Sequence, residues 1–597
     1  MGRRSGRIWT ALALAGILAA AAWLRLRGIS WGLPDLYHPD EGSILIHALG
    51  FGAGDPNPHW FRWPSLLMYL MFGVYGGYFL VGKLAGFFSA PADLMRQYLT
   101  DPTPFWMLGR VVSATFGVAT VWVTHRFTRR AFGEAAALGA AAFLAVMFLH
   151  VRDSHYATPD VATAFLSAVS LLFAVRAWTG TSARDLILSG LFAGLAASAK
   201  YPGAIAALGT LAAGIALVAG HGGVAEGASR PSFRPLALAL PASLAAVVAG
   251  FVLGTPFSVL SPSEFSRDVL TQVTMVSQAG VAQQASPFLD GLREVFARSV
   301  VRGVGWSIVA LAVVGALMPV AVPGRRSELR ATGRGAFAGK TIATVYVVAV
   351  LVAAALITVK RSTYITPALP AVAALAGAGI AALFRWAPRA VLGVAVVVVA
   401  GLSAVPAVRF DAALERPDTR TLARTWIEAN VPPGTRAAVE DYGPVLNPTE
   451  TQLRELLATD TTAVGSWKGT KARVNEVRLE VGAARVPQYE VYAIDWWEEP
   501  FRLPNPDVAP DELALAIRRL RIRYVVMSSK ASSSRPMEGA EPPQAPVPQP
   551  FVEWVEGHGT RVARFAEEQP TPWIDRGPGR SFHNPVIEVY AIEAGRR

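Results

Sequence analysis

Long apolar runs constrain this 597-residue chain more than any other feature. They recur from residue 8 to about residue 408, and most are near the ~20 residues that a helix needs to cross a membrane. Only 16% of the residues are charged, against about 25% in soluble globular proteins. Inside lipid, only helices and closed barrels satisfy their own backbone hydrogen bonds. The sequence therefore predicts a polytopic α-helical membrane protein.

Basic residues beside these runs predict how the chain is threaded. Cytoplasmic loops carry an excess of Lys and Arg, and arginines precede the first span at 8–26, so we expect a cytoplasmic N-terminus in the inner or plasma membrane. The third apolar run ends in the basic sequence 125–130, which would lie outside if the stretch 63–88 crossed fully. We therefore predict that 63–88 is a juxtamembrane or re-entrant helix and that the chain has about 11 spans. The net charge of +12 then reflects topology, and no nucleic-acid partner is expected.

The composition changes after the last span. Residues 1–408 form the predicted membrane domain, whereas 409–597 are polar and contain no run long enough to span. Helical and strand-like patterns alternate in this second part, which predicts a small extracytoplasmic α/β domain. The patterns fall at 422–429 (helix), 437–440 (strand), 511–520 (helix), 524–527 (strand) and 586–592 (strand).

The stretch WGLPDLYHPDEGSILIHAL at 31–49 follows the first span directly. Pro39 is a favoured first-turn residue, and the apolar positions after it have helical spacing. Asp40 and Glu41 are then expected in the first turn of a short helix at the membrane surface. They either complement the helix dipole or act as a catalytic base and its support, and spacing alone leaves both interpretations open.

Other polar residues gather in the predicted outer loops, where ionisable groups are functional candidates. Cations there can bind a phosphate while a carboxylate accepts a proton. This is the layout expected for catalysis on an anionic, membrane-held donor. Asp160 could instead be an N-cap, the lysines could only extend to lipid headgroups, and a divalent metal at Asp153, His155 and Asp160 stays an alternative. The candidate substrate-binding residues are His38, His155, Asp160, Lys200, Lys360, Arg361 and Tyr364. With no cysteine in the chain, disulfides and thiolate chemistry are excluded.

A set of short motifs in fixed order resembles the GT-C superfamily of glycosyltransferases, in its protein O-mannosyltransferase and aminoarabinose-transferase-like branch. The motifs cover about 400 residues of the membrane part. They are YHPDE at 37–41, WPSL at 63–66, LGRVVSA at 108–114, SHYATPD at 154–160, AKYPG at 199–203 and KRSTYITPALP at 360–370.

The resemblance implies a sugar donor on a polyprenyl phosphate, presented from the bilayer, and an inverting displacement. It implies that Asp40 is the general base and that Glu41 supports it. His155 and Asp160 would then lie near the donor. The residues that would bind the lipid phosphate are Lys200, Lys360, Arg361 and Tyr364. The branch is mixed in metal dependence, so the resemblance leaves the cofactor open.

Two other classes of function compete with a hexosyl- or pentosyltransferase. A transporter or flippase of polyprenyl-linked sugars typically has midplane ionisable residues and inverted repeats, neither of which the sequence suggests. A membrane-anchored binding protein would leave the outer carboxylates and cations unexplained. The acceptor could be a protein, a lipid or a cell-envelope glycan.

Overall fold

The computed structural model describes residues 2–220, 233–278, 288–318, 326–357, 361–440, 442–459, 487–494, 501, 503–504, 510–529, 550–567 and 583–592. The chain divides into two compact units. The first unit comprises Met1–Ile29, Pro56–Val74 and Leu108–Ala412, and the second comprises Ser30–Asp55, Tyr75–Met107 and Ala413–Arg597. The predicted domain limit at residue 408 stays a prediction.

Most of the described chain is helical. The α-helices are α1 (Gly2–Leu26), α2 (Glu41–Gly50), α3 (Leu66–Leu84), α4 (Pro91–Thr100), α5 (Thr103–Phe132), α6 (Glu134–Val146), α7 (Phe148–Asp153), α8 (Asp160–Gly180), α9 (Ala183–Ala199), α10 (Ala207–Val218), α11 (Phe233–Gly254), α12 (Phe257–Leu260), α13 (Pro262–Gln278), α14 (Phe288–Glu294), α15 (Arg302–Val304), α16 (Trp306–Leu317), α17 (Arg326–Leu356), α18 (Leu369–Leu383), α19 (Arg389–Leu414), α20 (Thr419–Asn430), α21 (Glu450–Thr459), α22 (Pro510–Arg519) and α23 (Pro550–His558). Shorter 3₁₀ segments cover Phe51–Ala53, Tyr201–Ala206 and Ser362–Ala368, and Val295–Val301 is π-helical.

Eight helices in the described part of the chain are long and apolar enough to cross a membrane, or nine if the bent pair Phe288–Val304 and Trp306–Leu317 is one span. Glu134–Val146 and Leu238–Gly254 are shorter apolar helices. The protein is therefore a polytopic helical membrane protein, as predicted. The predicted first span at 8–26 lies within α1. The number of helices that cross the membrane stays a prediction. The same holds for α3, which is one of the eight by length and composition although the charge pattern predicts that it does not cross.

Small residues bring helices of the first unit close together. Gly190 and Gly194 form a GxxxG pattern on α9, and a Cβ at either position would collide with the backbone of α11, at Ser243 and Val247 respectively. Such patterns are typical of membrane helix pairs, because close backbone approach replaces the hydrophobic driving force that lipid lacks.

The second unit contains a five-stranded sheet in the order β2-β1-β3-β5-β4. Strands β1, β2 and β3 are mutually parallel, and β5 runs antiparallel to both β3 and β4. The strands are β1 (Arg436–Glu440), β2 (Glu490–Ile494), β3 (Tyr524–Ser528), β4 (Gly559–Phe565) and β5 (Ile587–Ile592). The predicted alternation of helices and strands is confirmed, whereas β2, β4, α21 and α23 were not predicted.

Alternating residues of β3 face two apolar cores. Val525 and Met527 pack with residues of α22 and α23 on one side of the sheet. Val526 packs on the other side, with Ala423 and Ile427 of α20. This period of two residues is what a pleated strand imposes, and it makes the unit a three-layer α/β structure.

Candidate active site

The carboxylates singled out by the sequence lie at the start of α2, in the second unit. Asp40 is the N-cap residue, but its side chain makes no capping hydrogen bond, and Glu41 is fully buried in the first turn. The Asp40 amide donates to His38 Nδ1 at 3.2 Å, and the Glu41 amide donates to the His38 carbonyl at 3.4 Å. The side chain of Asp40 is therefore not used for capping. His38 is buried and fixes this turn, while its substrate-binding role stays a prediction.

Asp160 and Lys200 form an ion pair in the first unit. Asp160 opens α8 and Lys200 follows the last residue of α9 in extended backbone, and Nζ lies 2.7 Å from Oδ1. Their side chains are only 6% and 15% exposed. The ammonium also lies 5.8 Å from the ring centroid of Tyr364, within reach of a cation–π interaction. Two motifs that are 40 residues apart in sequence, together with a third near residue 364, therefore meet at one point.

Asp153 is held by two other side chains of the same unit. Arg152 donates to Oδ1 from Nε at 2.9 Å and from its terminal nitrogen at 2.7 Å, and the Thr366 hydroxyl donates to Oδ2 at 2.6 Å. Thr366 and Tyr364 share the segment Ser362–Ala368. The Asp153 and Asp160 carboxylates each have their own cation, Arg152 and Lys200 respectively, and such pairing compensates the charge of a buried carboxylate.

His155 makes different contacts from those that the sequence suggests. Its Nδ1 lies 2.9 Å from the Val151 carbonyl, and its Nε2 lies 2.9 Å from the Arg27 carbonyl and 3.5 Å from Asp411. Nδ1 is thus directed back at α7, and Nε2 at the end of α1 and at α19. The donor-binding role of His155 stays a prediction.

The metal alternative gains no support. Among the described residues, no group of three His, Asp or Glu side chains is placed to hold a metal ion. The physical reason lies in the partners: Asp153 accepts from Arg152, Asp160 pairs with Lys200, and the nitrogens of His155 face carbonyls.

The remaining candidates lie in the last motif. Arg361 is exposed and precedes the segment Ser362–Ala368, on which Tyr364 lies half-buried. Lys360 lies outside the described residues, so its predicted role has no structural counterpart here.

Sequence reasoning missed Arg25, which is fully buried near the end of α1. Its guanidinium donates to the carbonyls of Ala145 at 3.0 Å and Leu144 at 3.3 Å, and it lies 2.8 Å from His150 Nδ1. These carbonyls end α6, where a helix lacks internal donors. An arginine at the end of an otherwise apolar span is itself a signal that could have drawn attention to it.

A comparison with protein families finds a match, which lies within the predicted membrane part. Residues 106–249 match the family described as dolichyl-phosphate-mannose-protein mannosyltransferase. The matched segment includes Asp153, His155, Asp160 and Lys200. No curated protein matches the chain.

Solved structures provide further similarities. The chain is similar to ArnT from Cupriavidus metallidurans in the apo state, with 16% identity and a TM-score of 0.45 over 99% of this chain and 100% of that one. It is similar to the archaeal oligosaccharyltransferase AglB from Archaeoglobus fulgidus, in complex with an inhibitory peptide and a dolichol-phosphate, with 15% identity and a TM-score of 0.44 over 88% of this chain and 70% of that one. It is also similar to the S. cerevisiae protein O-mannosyltransferase Pmt1-Pmt2 complex bound to the sugar donor, with 20% identity and a TM-score of 0.30 over 43% and 34%.

The family match falls on the motifs at 108–114, 154–160 and 199–203. The resemblance to protein O-mannosyltransferases is therefore confirmed for this segment.

Proposed function

We propose that the protein is a glycosyltransferase that moves a sugar from a polyprenyl-phosphate carrier to an acceptor hydroxyl on the outer face of the membrane. The observation that carries the proposal is the buried Asp160–Lys200 pair, which lies inside the segment that matches the mannosyltransferase family. Buried ionisable residues at membrane helix ends are costly and are typical of functional sites. The sugar is a hexose or pentose, and the acceptor is a protein, a lipid or an envelope glycan.

The reaction in this proposal is a single inverting displacement. The acceptor oxygen attacks the anomeric carbon on the face opposite the phosphate, and the bond from that carbon to the phosphate oxygen breaks. Asp40 takes the hydroxyl proton as general base, and Glu41 supports it. The polyprenyl phosphate leaves with the electron pair and gains negative charge.

Cations in the first unit stabilise that leaving group in the proposal. Lys200 acts as a point charge whose position Asp160 fixes, and Arg361 offers a planar guanidinium suited to phosphate. Tyr364 lies against the Lys200 ammonium, and Lys360 adds a further charge beside Arg361. Preorganised charges of this kind act where charge develops in the transition state.

The test is transfer of labelled sugar from polyprenyl phosphate to an envelope extract by protein purified in detergent. Wild-type protein should transfer the label, and Asp40→Asn should not, because the base is removed with almost no change in shape. Asp101→Asn is the matched control, since Asp101 is an exposed carboxylate of the second unit whose Oδ1 accepts from the Thr103 amide at 3.1 Å. Normal transfer by the Asp40 variant would contradict the assignment of the base.

A further inference from the structure

The segment 31–40, which leads to the proposed base, contacts helix α20 within the second unit. We propose that Arg420 and Arg424 of α20 are positioning residues: they hold this segment, and through it the Asp40 carboxylate, in the geometry needed for proton abstraction. The inference rests on the proposed function of Asp40. It gives the C-terminal α/β part of the chain a role in the reaction.

Arg420 holds the aromatic part of the segment. Its guanidinium carbon lies 3.9 Å from the ring centroid of Tyr37 and 5.7 Å from that of Trp31. The same guanidinium donates to both Asp418 oxygens, at 2.7 and 2.9 Å, and Arg420 is 1% exposed. Asp418 therefore fixes the plane on which Tyr37 rests, since a guanidinium with two bonds to one carboxylate cannot turn freely.

Arg424 holds the charged part of the segment, one helical turn further on. It donates to both oxygens of Asp35 at 3.1 Å, and the Tyr37 hydroxyl lies 2.9 Å from the Thr421 hydroxyl. Burial raises the pKa of Asp35, and the Arg424 guanidinium opposes that shift. Arg424 is therefore the cation that compensates the charge of this half-buried carboxylate.

The link from Tyr37 to Asp40 is short and constrained. Only His38 and Pro39 lie between them; proline fixes its own φ, and His38 accepts from the Asp40 amide. Upstream, Gly32 has φ +75°, and a Cβ there would lie 2.7 Å from the Tyr37 ring. Both sides of Tyr37 are therefore fixed, so a shift of its ring moves Asp40 with it.

A purely structural role would not need these residue types. Replacing a buried ion pair by apolar side chains of similar volume is often neutral or stabilising. Apolar residues in place of Asp418 and Arg420 would therefore give the fold similar stability. What the charges add is orientation, which matters for a base because a displacement of ~1 Å can cost on the order of 100-fold in rate.

The experiment compares Arg424→Gln and Asp35→Asn with Glu428→Gln in purified protein. Glu428 is the matched control. It also accepts from Arg424, at 2.8 Å, but unlike Asp35 it is not part of the segment 31–40. Both test variants should lower kcat by roughly 10- to 100-fold with donor KM unchanged. Glu428→Gln should keep wild-type kcat, and Arg424→Lys should recover part of the loss. Wild-type kcat in both test variants would overturn the inference.

Hydrogen exchange of the amides in 31–40 separates this inference from the proposed function. The inference expects faster exchange in that segment for Arg424→Gln than for Glu428→Gln, whether or not a sugar donor has been found. Faster exchange with unchanged kcat would overturn the positioning role alone. Loss of the Asp40 assignment, by contrast, would come from normal turnover of Asp40→Asn.

Discussion

Charged residues in the two units are held by different chemistry. In the first unit, Lys200 and Arg25 are surrounded by apolar helices, and each has a carboxylate or backbone carbonyls as its partner. In the second unit, Arg420 donates twice to Asp418 and lies over the Tyr37 ring, and Arg424 donates to both oxygens of Asp35. In the proposed reaction, the first arrangement holds the phosphate of the donor, and the second fixes the segment 31–40. The proposed reaction needs both, a cation that binds and a base that is positioned.

The largest expected effects are kinetic, and they distinguish the proposed base, Asp40, from the proposed phosphate-binding cation, Lys200. We expect Asp40→Asn to lower kcat by about 10²- to 10⁴-fold, the usual contribution of a positioned proton acceptor, without raising donor KM. Lys200→Met should raise donor KM as well, because it removes a charge that the proposal assigns to the phosphate. Saturation curves with purified variants give both values. The same pattern in both variants would contradict the division of roles.

The next largest effect is expected on stability, when one partner of the Asp160–Lys200 pair is removed. Removing one partner of a buried pair leaves an uncompensated charge and typically costs about 3–5 kcal/mol. We therefore expect Asp160→Asn and Lys200→Met each to lower the free energy of unfolding more than the double variant does. Denaturation in detergent measures all three.

The pair between Arg176 and Asp185, at 3.2 Å, is the control for that cycle, because its cation is 47% exposed whereas Lys200 is 15% exposed. Asp185→Asn should change stability by less than about 1 kcal/mol. A similar cost at both pairs would mean that burial does not distinguish them.

Arg361 tests whether an exposed cation takes part in donor binding. Arg361→Ala should raise donor KM roughly 10-fold, as expected for loss of one charge-assisted hydrogen bond, while acceptor KM stays unchanged. Lys360→Ala should act in the same direction. Arg385→Ala, which removes an arginine stacked on Trp386, is the control. An unaltered donor curve for the combined Lys360→Ala, Arg361→Ala variant would leave Lys200 as the remaining candidate.

The smallest effect is expected at Ser89, which is exposed after α3. Because the chain has no cysteine, Ser89→Cys introduces a single thiol, and we expect unchanged transfer. A membrane-impermeant reagent added from outside should label it if α3 does not cross. Labelling only after permeabilisation would make α3 a full span and change the side assigned to later loops.

Whether the sequence predicts a site residue depends on the composition of the chain around that residue. Asp160 and Lys200 stand out because charges are rare among apolar helices, and their motifs are short and ordered. Arg420 and Arg424 lie in a polar tail where arginine is ordinary, so nothing in the sequence indicates that they contact the segment 31–40. The strand at 559–565 escaped prediction for a similar reason: it is largely exposed, so the apolar alternation that marks a strand is weak.

Transfer and transport are the two outcomes that the central claim must separate. The most direct measurement uses a donor with one label in the sugar and another in the polyprenyl chain, incubated with purified wild-type protein and an envelope extract in detergent, where no membrane separates two compartments. We expect the sugar label to move to the acceptor while the lipid label is recovered as polyprenyl phosphate. If the two labels stay on one molecule here, yet the intact donor crosses the bilayer of proteoliposomes, the protein is a flippase and the proposed reaction is wrong.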